Sequence, residues 1–145
     1  MSTRRDQMRK VCVVITARPS YSRIKGAMLA IKNSPDMELQ IVVAASAMLN
    51  RYGDAYKQIE DDGFTINRKI FSIVEGENPV AMVKTTGLGM IELVTAFEDL
   101  KPDVVVTIAD RYETIATAIA ASYSNIPLAH IQGGAVTGNI DGKVR

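Results

Sequence analysis

Short β-branched runs, apolar without a break, alternate along this chain with longer segments whose apolar residues recur every three or four positions. That alternation is the feature that most restricts the fold. A strand with one wet face shows every second residue polar; residues 11–16 and 104–108 show no such alternation and must be covered on both faces. Only a parallel sheet with helices on both sides meets that demand. The spacing predicts strands at 11–16, 39–44, 65–70, 104–108 and 126–131. Helices are predicted from Pro19 to the Ser34-Pro35-Asp36 break, over 80–100 with a bend at Gly87 and Gly89, and over 111–124. Residues 46–62 read as a helix interrupted near Gly53, and 72–79 as a loop. The fold class expected is α/β, a doubly wound, Rossmann-like parallel sheet of five strands in the order 3-2-1-4-5.

Composition supports a single domain. The chain has 145 residues, 47% of them hydrophobic, and 17 basic against 16 acidic side chains. A formal charge of +1 argues against a nucleic-acid partner, whose phosphates need many cations. The group Arg4, Arg5, Arg9 and Lys10 reads as part of a polar lead-in over residues 1–10, ahead of a domain at 11–145. No apolar stretch reads as approaching the roughly 18–20 residues that cross a bilayer, so no membrane partner is expected and the location expected is cytoplasmic. One cysteine, Cys12, inside an apolar run, excludes an intramolecular disulfide and reads as a buried strand residue. One cysteine and one histidine suggest no metal site, and no cofactor is expected. The dinucleotide fingerprint GxGxxG is absent from the turn after the first strand.

In open α/β sheets ligands bind beyond the carboxyl ends of the strands, at the point where strand order reverses. Three post-strand segments therefore carry the candidates. After strand one, Arg18, Ser20 and Ser22 open a helix whose first N–H groups suit a phosphate, with Arg18 adding a fork; Ser20 as a simple helix cap stands beside that reading. After strand four comes Asp110-Arg111-Tyr112-Glu113. Asp110 there is either an N-cap in a capping box with Glu113 or a cleft carboxylate able to act as a base. After strand five, His130 leads into Gln132, Gly133 and Gly134, with Asp141 further on. His130 is the one side chain whose charge changes near neutral pH without a shift, or else a structural strand-end residue; the glycines permit close ligand approach.

Together the segments Ala17-Arg-Pro-Ser-Tyr-Ser22, Asp110-Arg-Tyr-Glu113 and His130 through Arg145 resemble the hydrolysing UDP-N-acetylglucosamine 2-epimerases of sialic-acid biosynthesis and their bacterial relatives. The resemblance runs over residues 11–145. It implies the N-terminal half of a glycosyltransferase-B-like architecture, with the active site between two Rossmann-like domains and the nucleotide-binding C-terminal domain absent from this chain. It implies a UDP-sugar substrate, a homo-oligomer, and a fragment inactive by itself. Asp110, Asp141 and the position of Gln132 correspond to catalytic positions; Arg18, Ser22, Arg111, His130, Gly133 and Gly134 correspond to substrate-binding ones. The family often has glutamate where Gln132 stands and commonly where Ala135 stands, so two carboxylates are replaced. The alternatives to an enzyme half are a self-contained, flavodoxin-like ligand-binding module and a non-catalytic interaction domain.

Overall fold

The computed structural model describes residues 7–76, 78–108, 111–133 and 138. Five strands, β1 (Arg9–Ile15), β2 (Met37–Ala44), β3 (Arg68–Ile70), β4 (Val104–Ile108) and β5 (Leu128–Ile131), form one sheet in the order β3-β2-β1-β4-β5. Every pairing is parallel, with Val13 of β1 level with Ile41 of β2 and Val106 of β4. The helices are α1 (Arg18–Asn33), α2 (Ala55–Asp61), α3 (Pro79–Leu100) and α4 (Thr114–Tyr123). Order and fold class are as the apolar spacing predicts; β3 and β5 are shorter than predicted, and β1 begins inside the stretch read as a lead-in.

Two cores flank the sheet, and β1 feeds both because successive strand residues point to opposite faces. Val11, Val13 and Ile15 pack with Ile24 and Met28 of α1 and Ile59 of α2. Cys12 and Val14 pack on the other face with Leu93 and Phe97 of α3 and Ala120 of α4. Burying a Val, Ile or Leu side chain stabilises by about 1.5–3 kcal/mol, so these two layers dominate the fold. Burial also pushes the Cys12 thiol up to about 12, which leaves it protonated and unreactive at neutral pH.

The segment read as one broken helix is two short 3₁₀ turns, Ala45–Met48 and Asn50–Tyr52, followed by α2. Gly53 breaks it at φ +92°, where a glycine carries no steric cost. α3 runs unbroken through both of its glycines. Asn78 caps it by accepting from the Ala81 N–H at 2.9 Å, and Pro79 fills the first turn. With 22 residues, α3 is long and apolar enough to cross a membrane by length and composition. That corrects the expectation that no stretch approached this length. Lys84 and Glu92 interrupt the apolar sequence without lowering its average much, and the inner face of the helix is buried against α4 and the sheet.

In the first two turns of α1, Tyr21 donates to Asp62 just beyond α2, and Lys25 pairs with the same carboxylate at 3.0 Å. The Tyr21 hydroxyl, then the Lys25 ammonium, hold the Asp62 carboxyl below the usual carboxylate range. A depressed carboxyl stabilises the fold above its ordinary pKa, and that contribution is lost as pH falls through the folded value. In Tyr21→Phe the Asp62 carboxyl is expected to titrate closer to its ordinary value, as read by carboxyl-carbon NMR; an unchanged titration curve contradicts the assignment. Gly26, mid-α1, has open space where a Cβ would sit. Gly26→Ala is expected to stabilise by about 0.5–1 kcal/mol, raising Tm by about 1–4 °C in a thermal melt. A fall in Tm contradicts it.

Candidate functional site

β1 and β4 are neighbours in the sheet, but the chain leaves β1 in one direction and reaches β4 from the other side by way of α3. Strand order reverses there, so the loops leaving the two strands part and open a cleft at their carboxyl ends. The cleft holds about 460 Å³ and is lined by Ala17, Arg18, Pro19, Ser20, Arg23, Ser46, Tyr52 and Arg111. A second chamber of about 580 Å³ shares Ser46, Tyr52 and Arg111 with it. That chamber adds apolar walls from Ile73, Met82 and Tyr112 and charged groups from Arg51 and Glu75.

α1 enters the cleft without a side-chain cap. Its N-cap is Ala17, so Ser20 does not cap the helix as one sequence reading had it; Ser20 is buried inside the first turn, at 1% exposure. Pro19 has no N–H to satisfy. The Ser20 and Tyr21 N–H groups both donate to the Ala17 carbonyl, so the helix start offers its positive dipole end and the Arg18 N–H rather than a row of open donors.

Three arginines converge on this cleft, each placed by a different device. Arg18 lies across Gly53: a Cβ at that position would stand 2.8 Å from the Arg18 Nη1. Arg23, one turn along α1, donates from Nη1 to Gln132 Oε1 at 3.1 Å, tying α1 to the end of β5. Arg111 donates to Glu113 from Nε at 3.3 Å and Nη2 at 3.2 Å. Glu113 is only 3% exposed, so a buried carboxylate orients an arginine at the rim. Behind them, the Ser46 hydroxyl donates to the Thr16 carbonyl at 2.8 Å and Ala47 N–H donates to the same oxygen at 3.1 Å, locking the exits of β1 and β2 together.

At β5, His130 Nδ1 and the Thr107 hydroxyl of β4 form a hydrogen bond of 2.7 Å. The opposite nitrogen, Nε2, is buried and has no partner among the described residues. Gly133 sits against that ring: a Cβ there would lie 3.0 Å from His130 Cδ2. Gln132 holds φ +67°, a left-handed conformation costly for a residue other than glycine and often found at functional sites. Burial, then the Glu113 charge, raises the Tyr112 hydroxyl above its ordinary value, so it remains a neutral donor at physiological pH.

Of the residues expected from sequence, Arg18 and Arg111 line the cleft directly. Gln132 reaches it through Arg23. His130 and Gly133 stand against each other at the end of β5. Ser22 is exposed on α1 and is not among the residues lining the cleft. Asp110, Asp141, Gly134 and Ala135 lie outside the described residues. Arg23, Ser46 and Tyr52 are the cleft residues that sequence reasoning did not assign, and Glu113, read there as a capping-box partner, instead orients Arg111. For Arg23 a signal existed, its place five residues after Arg18 in the same helix-opening segment; for Ser46 and Tyr52 the only signal was their place after β2. Among the described residues no group of three or more His, Cys, Asp or Glu side chains is placed to hold a metal. The arrangement suits an anion, a diphosphate above all: fixed cations, the positive end of a helix, and an adjoining chamber of mixed polarity.

The chain is 35% identical over 138 residues to the hydrolysing GDP/UDP-N,N'-diacetylbacillosamine 2-epimerase of Campylobacter jejuni, covering 94% of this chain and 36% of the relative. It is 32% identical to the hydrolysing UDP-N,N'-diacetylbacillosamine 2-epimerase of Legionella pneumophila, covering 95% and 37%. Among solved structures, UDP-N-acetylglucosamine 2-epimerase from Neisseria meningitidis bound to UDP-GlcNAc superposes with a TM-score of 0.74 at 22% identity, covering 92% of this chain and 34% of that one. The chain therefore spans about a third of the length of the relatives it matches. The family model described as UDP-N-acetylglucosamine 2-epimerase matches residues 29–144, and with most of the chain inside that match, this protein belongs to the UDP-N-acetylglucosamine 2-epimerase family.

Proposed function

We propose that this chain is the N-terminal, Rossmann-like domain of a hydrolysing UDP-sugar 2-epimerase with a glycosyltransferase-B-like arrangement, and that its cleft receives the diphosphate and sugar. The observation that carries the reading is the convergence of Arg18, Arg23 and Arg111 on the uncapped start of α1, at the reversal of strand order. In this reading a base takes the proton from C2 of the sugar as the C1–O bond breaks. UDP leaves and a C1=C2 double bond forms. Water then adds its hydroxyl to C1 and a proton returns to C2 on the opposite face, giving N-acetylmannosamine from UDP-N-acetylglucosamine.

The roles divide by chemistry. Arg18 and Arg111 hold the departing diphosphate, where charge builds as the bond breaks. Asp110 and Asp141 transfer protons. Gln132 cannot exchange a proton; it orients the sugar or its arginine neighbour. His130, Gly133, Gly134 and Ser22 contribute to binding the substrate, the glycines by permitting its close approach. The apolar wall of Ile73, Met82 and Tyr112 beside the cleft favours an acylated, partly deoxygenated sugar. A 2,4-diacetamido sugar, as the names of the Campylobacter and Legionella relatives specify, is therefore the second substrate to assay. A second domain closes the cleft, no metal or other cofactor takes part, the protein assembles as a homo-oligomer, and it works in the cytoplasm.

Two measurements test this. Titrating the chain with UDP should shift the backbone NMR signals of Arg18, Arg23, Tyr52 and Arg111. Arg18→Ala should weaken UDP binding about tenfold, the scale of one charge-assisted hydrogen bond; the absence of any shift at these residues would sink the site. The chain alone should release no UDP from either UDP-sugar, whereas the same chain joined to the remaining two-thirds of a relative should. UDP release by the isolated chain at an ordinary enzyme rate refutes the two-domain reading.

A further inference from the structure

Behind the second chamber of the cleft lies another hollow, of about 480 Å³, and the two share Arg51, Ile73 and Glu75 as wall residues. Met48, Leu49 and Ile73 give the hollow its apolar walls. Arg51 belongs to the 3₁₀ turn Asn50–Tyr52 after β2, and Glu75 to the loop after β3. Their side chains pair at 3.9 Å, which joins the two loops where the cavities meet. Both residues line the chamber but not the cleft proper, so the pair stands at the end of the chamber remote from Arg18.

The two halves of the pair are held differently. The Arg51 guanidinium lies 5.0 Å from the centre of the Tyr52 ring, a cation–π contact with a residue of the cleft wall. On the other side the loop is rooted at Val74, whose N–H donates to the Thr85 hydroxyl at 2.9 Å. Glu75 comes next, with its side chain 92% exposed. Gly76 follows at φ +130°, a backbone conformation that glycine adopts without strain. An exposed ion pair of this length is weak. Glu75 can therefore swing away while Arg51 stays on its ring.

We propose that the Arg51–Glu75 pair is a specificity-determining partition, which closes the hollow and excludes UDP-sugars whose C4 amide carries an acyl chain longer than acetyl. The proposal rests on the diphosphate site of the reading above. With the diphosphate between Arg18 and Arg111, C1 of the sugar lies at the phosphate end. A substituent on C4, across the ring from C1, then points toward the far wall of the chamber. There Ile73 and Met82 offer an apolar surface to an acetyl methyl group. A longer chain has to part Arg51 from Glu75 and lie along Met48 and Leu49. Such selectivity comes from an obstacle to the wrong ligand rather than an added contact with the right one.

The test titrates this chain with UDP, a UDP-linked 2,4-diacetamido sugar and its 4-hexanamido analogue, read by backbone NMR. All three should shift Arg18 and Arg111. In the wild-type chain the hexanamido analogue should bind no tighter than the diacetamido sugar and leave Met48 and Leu49 unmoved. In Glu75→Ala it should bind about tenfold tighter than the diacetamido sugar, from burial of its extra methylenes, and shift Met48 and Leu49. Arg51→Glu alone should open the hollow in the same way, and adding Glu75→Arg to it should restore the wild-type ratio of affinities. That rescue separates the pair itself from a general disturbance of the two loops. Equal affinities for the two sugars in Glu75→Ala overturn the inference. So do shifts at Met48 and Leu49 when the longer sugar meets the wild-type chain. In both of those results Arg18 and Arg111 still respond to UDP and the diphosphate site stands; if UDP leaves them unmoved, site and partition fall together.

Discussion

Burial of β1 on both faces is the constraint on which the rest depends. Its apolar residues supply two cores at once, so helices must lie on each side of the sheet and no strand connection can be a hairpin. α1 and α2 fill one layer on the way from β1 to β3. α3 and α4 fill the other, and α3 carries the chain back across to β4. Strand order then reverses beside β1, and the loops leaving β1 and β4 separate. The cleft follows from the double burial of one seven-residue strand.

What turns a gap into a binding site is the fixing of its cations. A free arginine loses considerable rotamer entropy when it clamps a ligand. Here Glu113, Gln132 and the bare backbone of Gly53 hold Arg111, Arg23 and Arg18 beforehand. The backbone shows what that arrangement demands. Ala45, Asp54 and Gln132 each hold positive φ without being glycine, at a cost of about 1–3 kcal/mol apiece. All three lie on segments at the carboxyl end of the sheet, where the packed layers behind can sustain the strain. The amino end of the sheet holds two more, Lys101 at φ +48° and Asn125 at φ +57°, where α3 and α4 turn into the neighbouring strands β4 and β5.

Local pattern was enough for the elements whose burial is complete. β4 falls at Val104–Ile108, as the unbroken apolar run predicts, and the pairing order follows from the handedness of crossovers. The weaker elements were less legible. Residues 65–70 read as a strand from composition, yet only Arg68–Ile70 pair, because this edge strand has one neighbour and two of its three residues are charged. Residues 46–62 read as one interrupted helix; the turn at Ala45 and the ties from Ser46 and Ala47 to the Thr16 carbonyl divide it into short turns. The helix after β4 begins at Thr114 rather than Arg111, because Arg111 turns back to pair with Glu113.

By itself the sequence determined the alternation of strand and helix, the both-face burial of the central strands and hence the parallel sheet, and it marked Arg18 and Arg111 by their place after strands. These are properties of neighbouring residues, set by periods of two and of about 3.6 that a linear reading can detect. Tertiary structure alone decided which side chains share the cleft. Arg23 and Gln132 are 109 residues apart, and Arg18 meets Gly53 only because β1 and β2 end side by side. Such contacts have no period. They arise when the sheet brings the strand ends level, so no local signal could announce them.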